Sequence, residues 1–198
     1  SHSLSAIHQK LAAAGAPLIC TVADEPNIVA ASEASCSHTA TLSAGASDGI
    51  SLAPVREARQ EMWVTNTQVN CCAKAYPTVP SGHADAPALS VLAAFLRNGF
   101  LHRTIREQGG AYGGGASHDP NIAAFRFFSY RDPRLVETLE DFDAAIEWML
   151  QTQHEQLALE EAILSVMGSL DKPGSPAGEA KRDFHERLFG RTAEHRRI

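Results

Sequence analysis

The 198-residue sequence has few aromatic residues (7%), only four cysteines and a shortage of positive charge, with 17 Lys and Arg against 23 Asp and Glu. A net charge of −6 argues against nucleic-acid or anionic-membrane partners, which select a basic face. No apolar run is long enough to cross a bilayer, and the start carries no charged-then-apolar leader pattern. Cys20, Cys36, Cys71 and Cys72 contain no C-x-x-C. The neighbours Cys71 and Cys72 point to opposite sides of an extended segment and make no zinc pair. Reduced, mostly buried thiols in a cytosol-like compartment are expected.

Several chemistries are also missing. There is no G-x-x-x-x-G-K-[ST] and no G-x-G-x-x-G, so the glycine-rich region carries no phosphate-cradle signature. No G-x-S-x-G elbow occurs. A metallopeptidase needs two histidines one helical turn apart with a carboxylate beside them. His154-Glu155 is followed by Ala158, and His185-Glu186 by Phe189; neither completes H-E-x-x-H, and H-x-x-E-H is absent. These two read as exposed helix histidines, Cys36-Ser37-His38 offers too few ligands, and no metal site is expected in this chain.

What is present is an ordinary globular composition, 44% hydrophobic and 20% charged. Leu4–Ala14 reads as a helix, Pro17–Val22 as a short strand and Pro26–Leu42 as a helix rich in small residues. Residues 43–60 read as a surface connection. Glu61–Tyr76 alternates like a long strand. Asp85 opens a helix with Leu89, Leu92, Ala93 and Leu96 as its buried stripe, interrupted at Asn98-Gly99. A short helix from Phe100 then ends at Gly109-Gly110, where glycine supplies a positive φ. A glycine strand, a turn over His118–Asn121 and a return strand Ala123–Tyr130 follow. In the turn, His118 and Asp119 read as caps, and Arg126 and Arg131 as sheet-edge ion pairs. Helices starting near Asp132-Pro133, at Leu159 and at Ala177 complete the chain. Antiparallel strands mixed with helix pairs predict an α+β fold, a mostly antiparallel sheet with helices packed on one face.

The stretch that concentrates chemistry is Phe100–Asp132. Arg106 lies in a last helical turn, where a cation suits the helix dipole. Tyr112 is the one large polar-tipped group before Gly113-Gly114-Gly115. A strand this bare leaves room for another backbone and could accept an extended peptide. From the residues alone, a flexible loop, a helix-end cation and a packed strand tyrosine are the favoured readings of the stretch.

LHRTIREQGGAYGGGA followed by SYRDP resembles the C-terminal half of the pitrilysin/insulinase-type zinc metallopeptidases, in the presequence protease branch. VNCCAKAYPTVPSGHADAPALSVLAAFLRNGF before it and LEEAILSVMGSLDKPGSPAGEAKRDFHERLFGR after it extend the resemblance over roughly 63–191. The resemblance implies one C-terminal domain over 1–198, a fragment truncated at both ends, whose zinc is held on an H-x-x-E-H helix of an N-terminal half outside this chain. It implies that Arg106 and Tyr112 act on the substrate in catalysis. Arg103, read as one turn earlier on the same helix face, is the reserve candidate, and Gly113, Gly114 and Gly115 are expected to bind peptide. The implied partners are a peptide substrate and the N-terminal catalytic half, with no nucleic acid or membrane. The chain alone is expected to be inactive. The expected compartment is cytoplasmic, or an organellar matrix in a eukaryote. A catalytically silent structural member of the same fold and a plain peptide-binding module are the other readings.

Overall fold

The computed structural model describes residues 2–13, 18–40 and 57–190. The chain divides into two compact units. One holds α1 (His2–Ala13), α2 (Ile28–Thr39) and α6 (Pro176–Leu188). In it, α6 starts with Pro176 in its first turn and with the Ser175 hydroxyl accepting the Gly178 N–H at 3.1 Å, a standard N-cap. The expected strand over Pro17–Val22 does not form: residues 18–24 are irregular and largely exposed. An apolar run becomes a strand only with a ladder partner, and this unit has no strand among its described residues.

The other unit carries a three-stranded antiparallel sheet in the order β1-β3-β2, from β1 (Ala73–Pro77), β2 (Gly113–Asp119) and β3 (Ala124–Tyr130). Register runs Ala73↔Phe128 between β1 and β3 and Gly113↔Tyr130 between β2 and β3. Along the central strand, Phe125, Phe127 and Ser129 are buried while Arg126, Phe128 and Tyr130 are exposed. Helices therefore cover one face, as an α+β fold requires. The core beneath joins Phe127, Leu96, Leu101, Ile105, Ala116 and Phe142. Phe127 stacks on Phe142 of α4 (Val136–Gln151), with centroids 5.6 Å apart. α5 (Gln156–Leu170) packs on α3 (Ala86–Leu96) through Ala162, Ala94 and Phe95.

Three expectations fail for identifiable reasons. The long strand over Glu61–Tyr76 shrinks to Ala73–Pro77 plus one bridge, Asn70↔Asp132. Its partner β3 ends at Tyr130, and Arg131 bends away with φ 50°. Upstream of Asn70 the alternating residues have no strand partner among the described residues, and Trp63 and Val64 stand exposed. Asn98-Gly99 does not interrupt the helix either. α3 runs directly into a π-helix, Arg97–Gln108, in which the Gly109 N–H reaches back to the Thr104 carbonyl at 2.9 Å. Gly99 serves packing instead, since a β-carbon there would lie 2.5 Å from the Trp148 ring. Finally, only Cys72 of the four thiols is buried. The surface connection expected at 43–60 lies outside the described residues apart from 57–60, which are irregular and exposed.

Candidate functional site

The π-helix, the glycine turn and the start of β2 form one hydrogen-bonded knot. The Gly110 N–H donates to the Arg106 carbonyl (3.1 Å), and the Ala111 N–H to the Ile105 carbonyl (3.1 Å). Gly110 takes φ 77°, the left-handed conformation that ends a helix without a Cβ clash. Ala111 is buried, which fixes the chain just before Tyr112 leaves the surface.

Arg106 and Tyr112 thus stand on either side of a rigid turn. Both are exposed, Tyr112 by 67%. Among the described residues neither side chain has a hydrogen bond or an ion pair. Among the described residues the ring of Tyr112 meets one other ring, that of Tyr130, edge-on at 6.0 Å. A strand tyrosine kept for packing would bury its ring and satisfy its hydroxyl; Tyr112 does neither. Arg103 is exposed on the same helix, but its expected alignment with Arg106 is corrected. A helix closed by i→i+5 bonds takes more than four residues per turn, so three positions do not make one turn.

The three glycines differ. A β-carbon on Gly114 would lie 2.7 Å from Ile105 Cγ2, and one on Gly115 would lie 3.0 Å from the aliphatic stem of Arg97. The room at these two positions is taken by the π-helix, so the expectation that all three leave space for a second backbone holds only for Gly113, which has nothing within 4 Å. Among the described residues β2 is nevertheless an edge strand. Ser129 turns its N–H toward β1, onto the Cys72 carbonyl at 2.8 Å. By antiparallel alternation its partner Gly114, and with it Ala116 and His118, direct their backbone groups to the outer edge of β2.

Asp132, which leads the chain toward α4, is fully buried. Its carboxylate accepts the Arg134 N–H (2.9 Å) and the Thr138 hydroxyl (2.8 Å). Its backbone exchanges two bonds with Asn70, at 2.7 and 2.9 Å. Between Ala73↔Phe128 and Asn70↔Asp132 one side advances three residues and the other four, which defines a β-bulge. Arg131 sits in that bulge, and its left-handed backbone costs on the order of 1–3 kcal/mol. Its carbonyl accepts the Tyr112 N–H at 3.3 Å. Sequence reading missed this constellation, because a bulge leaves no periodic signal.

The remaining polar groups are structural. Asp119 pairs with Arg126 at 3.3 Å and accepts the Asn121 N–H, as expected of a sheet-edge pair and a turn cap. His118 places Nε2 at 3.2 Å from the Val79 carbonyl. His154 lies in the α4–α5 loop rather than on a helix, its ring against Trp148 and Phe95. Burial pushes the Cys72 thiol above its ordinary range, against the opposing effect of the Ser129 hydroxyl. Among the described residues no three His, Cys, Asp or Glu side chains converge to hold a metal ion.

A family model described as the PreP C-terminal domain matches residues 60–198. The chain is 43% identical over 130 residues to the mitochondrial presequence protease of Yarrowia lipolytica, covering 66% of this chain and 13% of that protein. It is 40% identical over 131 residues to that of Kluyveromyces lactis, with the same coverage. To the mouse protein it is 38% identical over 126 residues, covering 64% of this chain and 12% of the relative. The chain thus spans only about an eighth of the length of these relatives.

Proposed function

The chain belongs to the family of the PreP C-terminal domain, and from that membership we propose that it is the part of a peptide-degrading zinc metalloendopeptidase that contributes donors to the substrate rather than the metal. Its relatives carry the name presequence protease, which supports proteolysis as the activity of the full-length protein. The partners in this reading are a peptide and the N-terminal half of the same polypeptide, which would hold the zinc. The chain alone is then inactive.

The observation that carries the reading is the pair Arg106 and Tyr112: an exposed cation and an exposed phenol, fixed on either side of one turn, without internal partners among the described residues. Peptide hydrolysis builds negative charge on the scissile carbonyl oxygen. A guanidinium and a phenol aimed at that oxygen, or at a neighbouring carbonyl, lower the barrier because the charge develops only in the transition state. Supplying such donors from a separate part of the protein makes turnover depend on closure around the peptide. The outer edge of β2, with Gly113 open beside it, supports main-chain pairing with an extended substrate. Gly114 and Gly115 support that edge by letting the π-helix close on β2.

Of the two expected compartments, one finds support. Nothing supports a cytoplasmic location, and the relatives are named mitochondrial; for a eukaryotic source the proposed compartment is the mitochondrial matrix. The test is Arg106→Ala in the full-length enzyme. Loss of one transition-state donor lowers kcat by about a hundred- to a thousandfold, with KM near wild type. Arg106→Lys, which keeps charge but loses the planar fork, falls between. Wild-type kcat in Arg106→Ala contradicts the reading.

A further inference from the structure

Arg131 is the cation of the sheet that the proposed reaction leaves unused. Its neighbours in the same segment are committed: Arg126 pairs with Asp119, and Arg134 with Asp141 at 2.9 Å. Arg131 is exposed and has no ion pair or side-chain hydrogen bond among the described residues.

Its backbone is held from several directions. The Tyr112 N–H bonds its carbonyl, the Asn70–Asp132 exchange clamps the next residue, and the buried Asp132 carboxylate ties the bend to Arg134 and Thr138. A non-glycine residue in a left-handed bend persists only when its surroundings over-determine it. Here they do so at a residue whose own side chain satisfies nothing inside. Arg131 directly follows Tyr130, which is 52% exposed, and is bonded through its backbone to Tyr112, whose ring meets that of Tyr130 at 6.0 Å. The same segment lies against the end of the π-helix: Arg134 Nη2 donates to the Thr104 carbonyl at 3.4 Å, and Pro133 approaches Gly110. Arg131 therefore shares the end of the sheet that carries Arg106 and Tyr112.

We propose that Arg131, beside the exposed Tyr130 at the end of the sheet, is a substrate subsite that binds a carboxylate of the peptide. This rests on the reading of Arg106 and Tyr112 as substrate-facing groups. A guanidinium fork recognises a carboxylate through two parallel hydrogen bonds, and the exposed Tyr130 phenol adds a hydroxyl donor and a flat apolar wall for the chain that bears it, leaving the Tyr112 hydroxyl to the reacting carbonyl. The carboxylate comes either from an acidic side chain or from the C-terminus of the peptide. Because the contact exists in the ground state and the transition state alike, it acts on KM and not on kcat.

The test uses the full-length enzyme and four otherwise identical peptides, pairing Glu or Gln at one position with a free or amidated C-terminus. Wild type is expected to show a KM about tenfold lower for a carboxylate-bearing member, and the arm that responds identifies the source. Arg131→Gln is expected to abolish that difference with kcat unchanged. Arg131→Gly should do the same while unfolding at or above the wild-type temperature, since glycine adopts the bend without strain. An unchanged carboxylate preference in both variants overturns the proposal, as does an equal rise in KM for all four peptides. Failure of the underlying reading appears elsewhere, as an unaltered kcat in Tyr112→Phe.

Discussion

Gly114 lies directly against Ile105: the β-carbon it lacks would sit 2.7 Å from Ile105 Cγ2 and 3.1 Å from the Phe128 carbonyl oxygen. The glycine is what lets the π-helix close on β2, and Ile105 is fully buried there. Gly114→Val is therefore expected to destabilise the chain by about 1–3 kcal/mol, the range for overpacking a filled site. Gly113→Ala, in open space, should stay within about 0.5 kcal/mol. Urea unfolding of the two variants checks this; equal stabilities would show that β2 does not need its glycine.

Gly99 and Trp148 make a second such fit. Trp148 stacks on Phe95 at 5.5 Å and meets Phe100 and His154 at 5.7 and 4.5 Å. A methyl group at Gly99 would lie 2.5 Å from the indole. Gly99→Ala is expected to raise helix propensity locally and still lower stability, by about 1–3 kcal/mol, with a shifted tryptophan emission. A stabilised variant with unshifted emission would contradict the packing.

The buried thiol sets a pH dependence. The folded pKa of Cys72 is raised, chiefly by burial. Its contribution is therefore complete below the unfolded thiol value of about 8.5 and is lost as pH rises toward the folded value, because only the unfolded chain releases the proton. Stability should fall above about pH 8.5 with a slope from this residue of at most about 1.4 kcal/mol per pH unit. Cys72→Ala should show a shallower alkaline decline than wild type. Parallel curves would show that the thiol does not contribute.

Much of this was readable in the chain. The Gly109-Gly110 stop, the hairpin through Asp119 and Pro120 and the amphipathic stripe of α4 follow from φ requirements and from periodicity, which are local. The long strand over Glu61–Tyr76 was misread because alternation marks a capacity to pair, and the partner ends at the Arg131 bulge. The continuous helix through Gly99 was missed because a glycine fitted to Trp148 looks the same in sequence as a glycine that stops a helix. The π winding has no sequence signature, so Arg103 was aligned with Arg106 on α-helical spacing. At the candidate site, the choice of Arg106 and Tyr112 comes from resemblance. Their exposure was not legible, because burial depends on what folds over them.

The central claim is that Tyr112 donates to charge that forms only during peptide hydrolysis. The most direct measurement is the steady-state kinetics of Tyr112→Phe in the full-length enzyme, alongside its zinc content. Removing one hydroxyl at a position 67% exposed should leave the fold intact. The account predicts kcat lower by about a hundred- to a thousandfold, KM close to wild type and zinc unchanged. Wild-type kcat, or loss of zinc, would contradict it.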